Sequence, residues 1–250
     1  MVAYREVRDA DARGRHGVFI AEGRFVVRTL LADSPLATRS VFVTPVALES
    51  IRDVLPDDTQ VYLAEQDVMN DVVGFNIHRG CLAAGDRPAV VRTEGLLQAA
   101  GGRAVVVLED VNNHDNIGGL FRSAIALGAG GVLLGPRCAD PLYRKSIRVS
   151  MGAALRLPFG TAALWPDALE TVRAAGYTLL ALTPDADADD IGSLAVSSPV
   201  ALLLGAEGPG LSQEAMGRAD RRVRIGMVSG VDSLNVVVAA AIALHRVAVP

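Results

Sequence analysis

The chain contains few cysteines and few aromatic residues. Its two cysteines, Cys81 and Cys138, have no partner spacing, and the four histidines do not cluster with them. This excludes a disulfide framework and a zinc site, so we predict no bound metal and a reducing compartment. Aromatic residues make up 4% of the chain and apolar residues 50%, which is typical of a globular core rich in Ala, Val and Leu.

Long apolar segments are also absent. The N-terminus lacks the apolar run of a signal peptide. The longest apolar run, Val236 to Leu244, is too short to span a bilayer. These absences predict a cytoplasmic protein. A length of 250 residues suffices for one large or two modest domains.

Lysine is nearly missing, since Lys145 is the only one, and the net charge of −4 does not by itself favour nucleic acid. The distribution of the arginines matters more than the sum. They concentrate at positions 137–156, at 218–224 and, diluted by acids, at Arg5, Arg8, Arg13 and Arg15. Arginine suits phosphate recognition, but a charge cluster also fits a solvated face.

Short apolar runs alternate with helical patterns, which predicts strands and helices in turn. In the first part of the chain, the predicted strands are 18–20, 41–43, 61–63 and 81–83, with a helix at 24–31 and further helices between the later strands. A break at 85–88 interrupts this pattern, and the stretch up to Gly95 resembles a linker. We therefore predict a smaller N-terminal α/β domain over 1–86, a linker over 87–102 and a second α/β domain over 103–250.

The second domain has the stronger pattern. Its predicted strands are 104–108, 131–134, 177–182, 200–204 and 223–225, and its predicted helices are 116–127, 164–175, 212–217 and 233–247. The uninterrupted apolar run at 104–108 is typical of a strand buried on both faces. Alternating strands and helices predict a parallel sheet, and ligands of such sheets bind at the carboxyl ends of the strands.

The first polar loop follows the strand at 104–108. Asn116 is predicted to cap the next helix, and Gly118 and Gly119 permit close approach of a backbone. Arg122 has apolar neighbours in sequence, so we expect it to be partly buried and paired. A capped helix behind a solvated loop would fit the same residues.

The second loop follows the strand at 200–204 and runs from Gly205 to Ser212. Glu207 is its only charge. No Lys-Ser/Thr pair follows, which excludes a P-loop, and the dinucleotide fingerprint is absent. A pocket lined by backbone, for an uncharged or cationic adenosyl ligand, fits better.

The third loop leads from Ile225 into the last helix. Its glycines flank Met227, Ser233 is predicted to cap the helix, and Asn235 is a poor helix former at its second position. Apolar side chains beside exposed backbone groups suit a purine ring. Taken alone, the segment fits a capped core helix equally well.

Together the three loops resemble the SpoU (TrmH-type) ribose methyltransferases of the SPOUT superfamily, over roughly residues 103–247. The first motif, Asn-x-Gly followed by Arg, is matched by Asn116, Gly118 and Arg122. The second, Gly-x-Glu-Gly-x-Gly, is matched by Gly205, Glu207, Gly208 and Gly210. The third is matched by Ile225, Met227, Gly230, Ser233, Leu234 and Asn235. Two positions depart from the pattern: Gly226 replaces the usual Pro, and Val237 stands where Ser is frequent.

The resemblance implies a C-terminal parallel-sheet domain with a trefoil knot and an N-terminal α/β domain that binds RNA. It implies transfer of a methyl group from S-adenosylmethionine to a ribose 2′-hydroxyl, with ribosomal RNA favoured over tRNA, in a homodimer formed through the knot. The implied catalytic residues are Asn116, Arg122, Glu207, Ser233 and Asn235. The implied cofactor residues are Thr183, Leu204, Gly205, Ile225, Met227 and Leu234. The implied RNA contacts are Arg144, Lys145 and Arg148.

The resemblance leaves roles and alternatives open. An arginine guanidinium is a poor base at neutral pH, so we expect Arg122 to anchor phosphate and stabilise a developing alkoxide. Glu207 is expected to orient Asn116 or Arg122. The last helix, apolar all round, is expected to be buried on every side. The alternatives are a tRNA ribose methyltransferase, a base methyltransferase of the wider superfamily and a non-catalytic RNA-binding protein that retains the fold.

Overall fold

A computed structural model of the chain describes residues 1–5, 17–77, 80–195, 199–228, 230 and 232–247. The chain divides into two compact units. Unit 1 comprises residues 1–89 and 140–156, and unit 2 comprises residues 90–139 and 157–250. The predicted boundary at 86 lies close to the first division, whereas the predicted start of the second domain at 103 lies well inside unit 2. The sequence also did not indicate that residues 140–156 belong with the first unit. Arg8, Arg13 and Arg15 of the N-terminal arginine cluster lie outside the described residues.

Unit 1 is built on a four-stranded sheet of order β1-β4-β2-β3. The strands are β1 (Val18–Glu22), β2 (Thr38–Val43), β3 (Gln60–Leu63) and β4 (Cys81–Asp86). The helices are α1 (Val2–Arg5), α2 (Arg24–Asp33), α3 (Pro45–Glu49) and α4 (Gln66–Val73). The sheet is mixed, because β2 and β3 are parallel whereas β4 runs antiparallel to β1 and β2. β4 also continues through Gly85 and Asp86, so the predicted break begins two residues too early.

Tyr4 ties α1 to the sheet of unit 1. Its side chain is fully buried, and its hydroxyl donates to the Ser40 carbonyl oxygen at 2.9 Å. The same hydroxyl accepts from the backbone N–H of Ala84 at 3.2 Å. A buried phenol with two backbone partners meets the requirement that buried polar groups be hydrogen-bonded.

The segment 140–156 contains α5 (Arg144–Val149), preceded and followed by turns. It packs in unit 1, where Glu22 at the end of β1 is buried and accepts from both Arg144 and Arg148. The Arg144 guanidinium also lies 4.6 Å from the centroid of the Phe75 ring. Cations that appear free in the sequence therefore have partners in the fold.

Unit 2 is built on a parallel sheet of order β7-β6-β5-β10-β8-β11-β9. The strands are β5 (Val105–Leu108), β6 (Gly131–Leu134), β7 (Phe159–Thr161), β8 (Thr178–Leu182), β9 (Asp189–Asp190), β10 (Val200–Leu204) and β11 (Arg221–Arg224). Neighbouring strands in this sheet are parallel wherever the described residues pair, which confirms the predicted fold class. Each residue of the central strands β5 and β10 is buried.

The helices of unit 2 lie between these strands. They are α6 (Thr93–Ala100), α7 (His114–Ala126), α8 (Ala168–Ala174), α9 (Gln213–Arg218) and α10 (Val236–Val247). α6 falls inside the predicted linker, so that part of the linker prediction is wrong. Leu96, Leu97 and Ala100 bury one face of this helix in the core. No helix among the described residues is both long and apolar enough to cross a membrane.

Candidate functional site

The candidate site lies where strands β5, β8, β10 and β11 end. These strands are neighbours in the sheet, so their carboxyl-end loops meet at one edge. A cavity of about 440 Å³ opens there. All six predicted cofactor residues line it, namely Thr183, Leu204, Gly205, Ile225, Met227 and Leu234. Three of the predicted catalytic residues also line it, namely Glu207, Ser233 and Asn235.

The cavity also contains residues that the sequence did not single out. They are Leu182, Pro184, Ala206, Val236 and Ala239. Each is adjacent, or within one helical turn, to a residue that the motifs had indicated. Their apolar types carry no chemical signal, so only their sequence neighbours could have pointed to them.

The glycine-rich loop after β10 folds back tightly on itself. A Cβ added to Gly205 would lie 2.3 Å from the carbonyl carbon of Gly210, so no larger residue fits at position 205. The backbone N–H of Gly210 donates to the Ala206 oxygen at 3.0 Å, and Gly208 has a φ of 88°. This turn requires glycine at its crossing point and at its tip, and it presents Glu207 to the cavity.

Asn235 joins two of the motifs. Its Nδ2 donates to Glu207 Oε1 at 2.6 Å and to Asn116 Oδ1 at 3.2 Å. Glu207 therefore contacts Asn235, which in turn contacts Asn116, and the expectation that Glu207 orients Asn116 or Arg122 stays a prediction. The Asn235 amide therefore connects the third loop to the second loop, through Glu207, and to α7, through Asn116.

The same residue starts the last helix. Asn235 Oδ1 accepts from the backbone N–H of Val237 at 2.9 Å, and its carbonyl oxygen accepts from Ala239 at 3.0 Å. These two bonds are those of an N-cap residue. The helix begins at Val236, so the prediction that Ser233 caps it is wrong, as is the placement of Asn235 at its second position.

In the first motif, the capping residue lies about one turn earlier than the sequence predicted. α7 begins at His114, and the cap is Asn113, whose side chain accepts from the backbone N–H of Asp115 at 2.9 Å. Asn116 is therefore a buried residue of the first turn, and its predicted capping role is wrong. Because Asn113 satisfies the helix end, the Asn116 side chain remains available to Asn235.

Arg122 lies on the opposite side of α7 from the core. The prediction of a partly buried, paired arginine is wrong: Arg122 is exposed and makes no hydrogen bond or ion pair with any residue that the structure describes. It is not among the residues that line the cavity. The guanidinium is thus available to a ligand outside the cavity.

The second arginine cluster is neutralised by the fold. Arg218 pairs with Asp167 and Glu170, Arg221 with Asp189, and Arg222 with Asp187. The acidic segment 185–190 supplies two of these four carboxylates, Asp187 and Asp189. These three arginines therefore have acidic partners within the fold, and whether the cluster contacts phosphate is not tested by these contacts.

The three predicted RNA contacts all belong to unit 1. The Arg144 side chain is 20% exposed and Arg148 is half-exposed, both beside Glu22. Lys145 is exposed on the same helix. Their predicted role in binding RNA remains a prediction.

Sequence reasoning assigned no role to Glu109, the residue directly after β5. Its side chain is only 4% exposed. Its Oε1 accepts from Trp165 Nε1 and from Ser212 Oγ, each at 2.7 Å, and its Oε2 accepts from the Ser212 backbone N–H at 2.8 Å. A carboxylate directly after a buried strand was the available signal, because such a group must find partners.

Comparison with known proteins gives consistent matches. A family model described as the SpoU rRNA Methylase family matches residues 103–245. An uncharacterized tRNA/rRNA methyltransferase of Mycobacterium tuberculosis is 46% identical over 236 residues, which is 91% of this chain and 79% of that protein.

Two solved structures share the fold. An AdoMet-bound rRNA methyltransferase from Sinorhizobium meliloti superimposes with a TM-score of 0.84 at 24% identity, covering 98% of this chain and 92% of that one. The SpoU methyltransferase AviRb from Streptomyces viridochromogenes, in complex with AdoMet, gives a TM-score of 0.81 at 23% identity, covering 99% and 96%. At this level of identity, the likeness establishes the fold of the chain.

Proposed function

The chain belongs to the SpoU rRNA Methylase family, and on that premise we propose that it transfers a methyl group from S-adenosylmethionine to a ribose 2′-hydroxyl of RNA. Ribosomal RNA is the favoured substrate over tRNA. The observation that carries the proposal is the Asn235 amide, which joins Asn116 and Glu207 at a cavity lined by all six predicted cofactor residues.

The cavity fits the proposed cofactor in size and lining. Its volume of about 440 Å³ falls within the ~300–1,000 Å³ of small-molecule sites. Ile225, Met227 and Leu234 give it apolar walls for a purine, and Gly205, which has no side chain, brings its backbone to the lining. Glu207 is the one charged side chain among the described lining residues, which suits a cationic sulfonium.

When bound, S-adenosylmethionine supplies an electrophilic methyl group for in-line attack by a hydroxyl oxygen. The protein's main contribution would be positioning, which can supply roughly 7–11 kcal/mol when reacting groups are well oriented. Asn235 and Ser233 are proposed to hold the ribose or the loop beside it. Arg122 is exposed and has no partner among the residues that the structure describes, and we propose that it binds an RNA phosphate and stabilises the developing alkoxide.

RNA recognition is proposed to involve unit 1, with Arg144, Lys145 and Arg148 as contacts. All three lie in the unit that includes the predicted RNA-binding domain. Specific RNA recognition usually targets loops and unstacked bases, so we expect a structured RNA rather than a uniform duplex. We also propose a cytoplasmic homodimer formed through α10, and a trefoil knot in unit 2.

The experiment that tests the proposal uses RNA from cells that lack the gene, separated into ribosomal and transfer fractions. Each fraction is incubated with the protein and S-adenosylmethionine labelled in its methyl group, then digested to nucleosides. We expect label in 2′-O-methylnucleosides of ribosomal RNA. Label in the transfer fraction would change the substrate, and label on a base would overturn the ribose assignment.

The tRNA alternative has one specific observation in its favour, since the Mycobacterium tuberculosis relative is named for both RNA classes. A non-catalytic RNA-binding protein is a separate outcome. It would show no label in either fraction and no affinity for S-adenosylhomocysteine in a titration.

A further inference from the structure

We propose that Glu109 is a positioning residue that holds the glycine-rich cofactor loop in its binding conformation. The inference rests on the proposed function, because it assumes that the cavity binds S-adenosylmethionine. Glu109 does not line the cavity. It acts through the loop at 205–212, which it anchors from behind.

The contacts by which Glu109 holds the loop begin at the ends of two neighbouring strands, β5 and β10. The backbone N–H of Glu109 donates to the Leu204 oxygen at 2.9 Å, so Glu109 continues the pairing of β5 with β10. Its side chain then reaches the far end of the loop and accepts from both the backbone N–H and the hydroxyl of Ser212. Glu109 thus contacts both the residue before the loop and the residue that ends it.

Because Glu109 holds both ends of the glycine-rich loop, it also restricts the position of the residues between them. Gly205 packs closely against the backbone of Gly210, and this contact resists movement of the two halves of the loop relative to each other. Five residues of this loop line the cavity: Gly205, Ala206, Glu207, Gly208 and Gly210. A shift at Ser212 would therefore move the backbone of the cavity wall and also Glu207, which accepts from Asn235.

The contact requires a carboxylate. Three donors converge on the two oxygens of Glu109: the Trp165 indole N–H, the Ser212 hydroxyl and the Ser212 backbone N–H. A carboxylate accepts from all three, whereas an amide offers one oxygen and one NH2 group. In Glu109→Gln, at least one buried donor would face another donor, although the side chain keeps its size.

Trp165 provides a spectroscopic probe of the anchor. It is the only tryptophan of the chain. Its indole N–H donates to Glu109. Its ring lies so close to Gly135 that a Cβ added to that glycine would be 3.1 Å from the ring. Its emission therefore reports on the environment of Glu109 without interference from another indole.

The test measures binding of S-adenosylhomocysteine by calorimetry, methyl transfer and the melting temperature of each variant. For Glu109→Gln, we expect the Kd of S-adenosylhomocysteine and the KM for S-adenosylmethionine to rise at least tenfold and the KM for RNA to change less than threefold. We also expect the change in Trp165 emission that ligand binding causes in the native protein to be reduced. The matched control is Glu22→Gln, which alters a buried, paired carboxylate of unit 1 and should lower the melting temperature while leaving the Kd within twofold.

The outcomes separate the proposals. If the native protein binds S-adenosylhomocysteine and Glu109→Gln binds it within twofold of native, the role of Glu109 is overturned. If the native protein does not bind it, the proposed function itself fails. If Glu109→Gln does not fold, Ser212→Ala decides, because it removes one anchoring bond and should raise the Kd threefold or more. An unchanged Kd in a folded Ser212→Ala would also overturn the inference.

Discussion

At the scale of single residues, the polar side chains of the site differ in how firmly their neighbours hold them. Asn235 makes three side-chain hydrogen bonds, to Asn116, Glu207 and the backbone of Val237. Arg122 makes none to a residue that the structure describes. The first side chain is held by its neighbours in the absence of substrate, whereas the second is proposed to find its partner in the RNA.

This difference predicts the effect of Arg122→Ala. We expect methyl transfer to fall at least about 100-fold, the scale seen when one group that stabilises developing charge is removed. The melting temperature and the Kd of S-adenosylhomocysteine should stay near native values, because the side chain is exposed and contacts no partner in the described part of the chain. Single-turnover kinetics measures methyl transfer, and calorimetry measures the melting temperature and the Kd. Turnover close to the native rate would refute the assignment.

Asn235→Asp separates the two roles of that residue. Aspartate caps a helix as well as asparagine does, so α10 should remain intact and circular dichroism should be unchanged. The donor to Glu207 is lost, and two carboxylates would face each other in its place. We expect the cofactor Kd to rise at least tenfold. Equal affinity in native and variant protein would argue against the bridge.

Part of this residue-level picture could be predicted from the sequence. The motifs indicated which loops meet, since loops at the carboxyl ends of neighbouring parallel strands share one edge. The environment of Arg122 was predicted wrongly because its flanking apolar residues were taken as its spatial neighbours. Leu120, Phe121 and Ala124 are buried, whereas Asp115 and Ala126 share its exposed face.

At the scale of elements, the site depends on the close approach of α7 and α10. A Cβ added to Gly119 would lie 2.8 Å and 2.9 Å from the two Cγ atoms of Val237. A β-branched side chain in a helix has little freedom to move away. Gly119 lies one turn from Asn116, so the helix contact sets the position of the Asn116–Asn235 bond.

Gly119→Ala should therefore separate the helices. We expect a loss of about 1–3 kcal/mol in the free energy of unfolding, despite the better helix propensity of alanine, and a weaker cofactor affinity. Urea unfolding and calorimetry check both. The matched control is Gly217→Ala in α9, where a Cβ meets no described atom within 4 Å and should cost nothing.

A second substitution tests the cause of that loss. Val237→Ala removes the two Cγ atoms that the new Cβ would meet, so the double variant should regain stability relative to Gly119→Ala. Two independent, additive losses would show that the contact is not the reason.

Most elements could be predicted from the pattern of apolar residues, and those that were missed have identifiable causes. α6 was assigned to a linker because Gly95 interrupts it, although Gly101 ends it in the left-handed conformation typical of a helix end. α5 was interpreted as a charge cluster, because Arg144, Lys145 and Arg148 obscure its two buried residues, Ser146 and Ile147. Neither Glu22 nor its burial could be connected to these arginines from local sequence.

At the scale of the whole molecule, the last helix has an apolar face without cover. Val238 and Ile242 are 47% and 42% exposed and lie one turn apart on α10. The expectation of burial on every side therefore fails within one chain. A second copy that covers this face would account for the apolar sequence of the helix.

We expect light scattering to give the mass of a dimer for the native protein. Ile242→Glu should shift the mass towards that of one chain, since a charge would be buried in the interface. Val46→Glu is the control, because Val46 is 67% exposed on α3 of unit 1 and should leave the mass unchanged. A native protein that runs as a clean monomer at all concentrations would rule out the dimer.

The whole molecule should also lose stability in alkali. Burial raises the pKa of the Cys81 thiol to about 12 and that of the Cys138 thiol to about 11, and it raises the pKa of the Tyr4 phenol. An unfolded thiol releases its proton near pH 8.5. Below that pH both states keep the proton, and above it the unfolded chain binds fewer protons, so the free energy of unfolding falls as pH rises.

Urea titrations at pH 8 and pH 10 should therefore differ by about 1–2 kcal/mol for each thiol. Lys145 is the only lysine, so few other side chains titrate in this range. Cys138→Ala should reduce the difference between the two pH values. A pH-independent free energy of unfolding would contradict the assigned burial.

The membership of residues 140–156 in unit 1 has a consequence for the history of such proteins. A fragment cut at residue 89 would lose Arg144 and Arg148, the ion-pair partners of Glu22, and removing one partner of a buried ion pair costs about 3–5 kcal/mol. A single genetic crossover near residue 89 would therefore combine residues 1–89 of one parent with residues 140–156 of the other. Exchange of the whole unit requires two simultaneous crossovers, so we expect such chains to change their RNA target by accumulated substitutions rather than by recombination of modules.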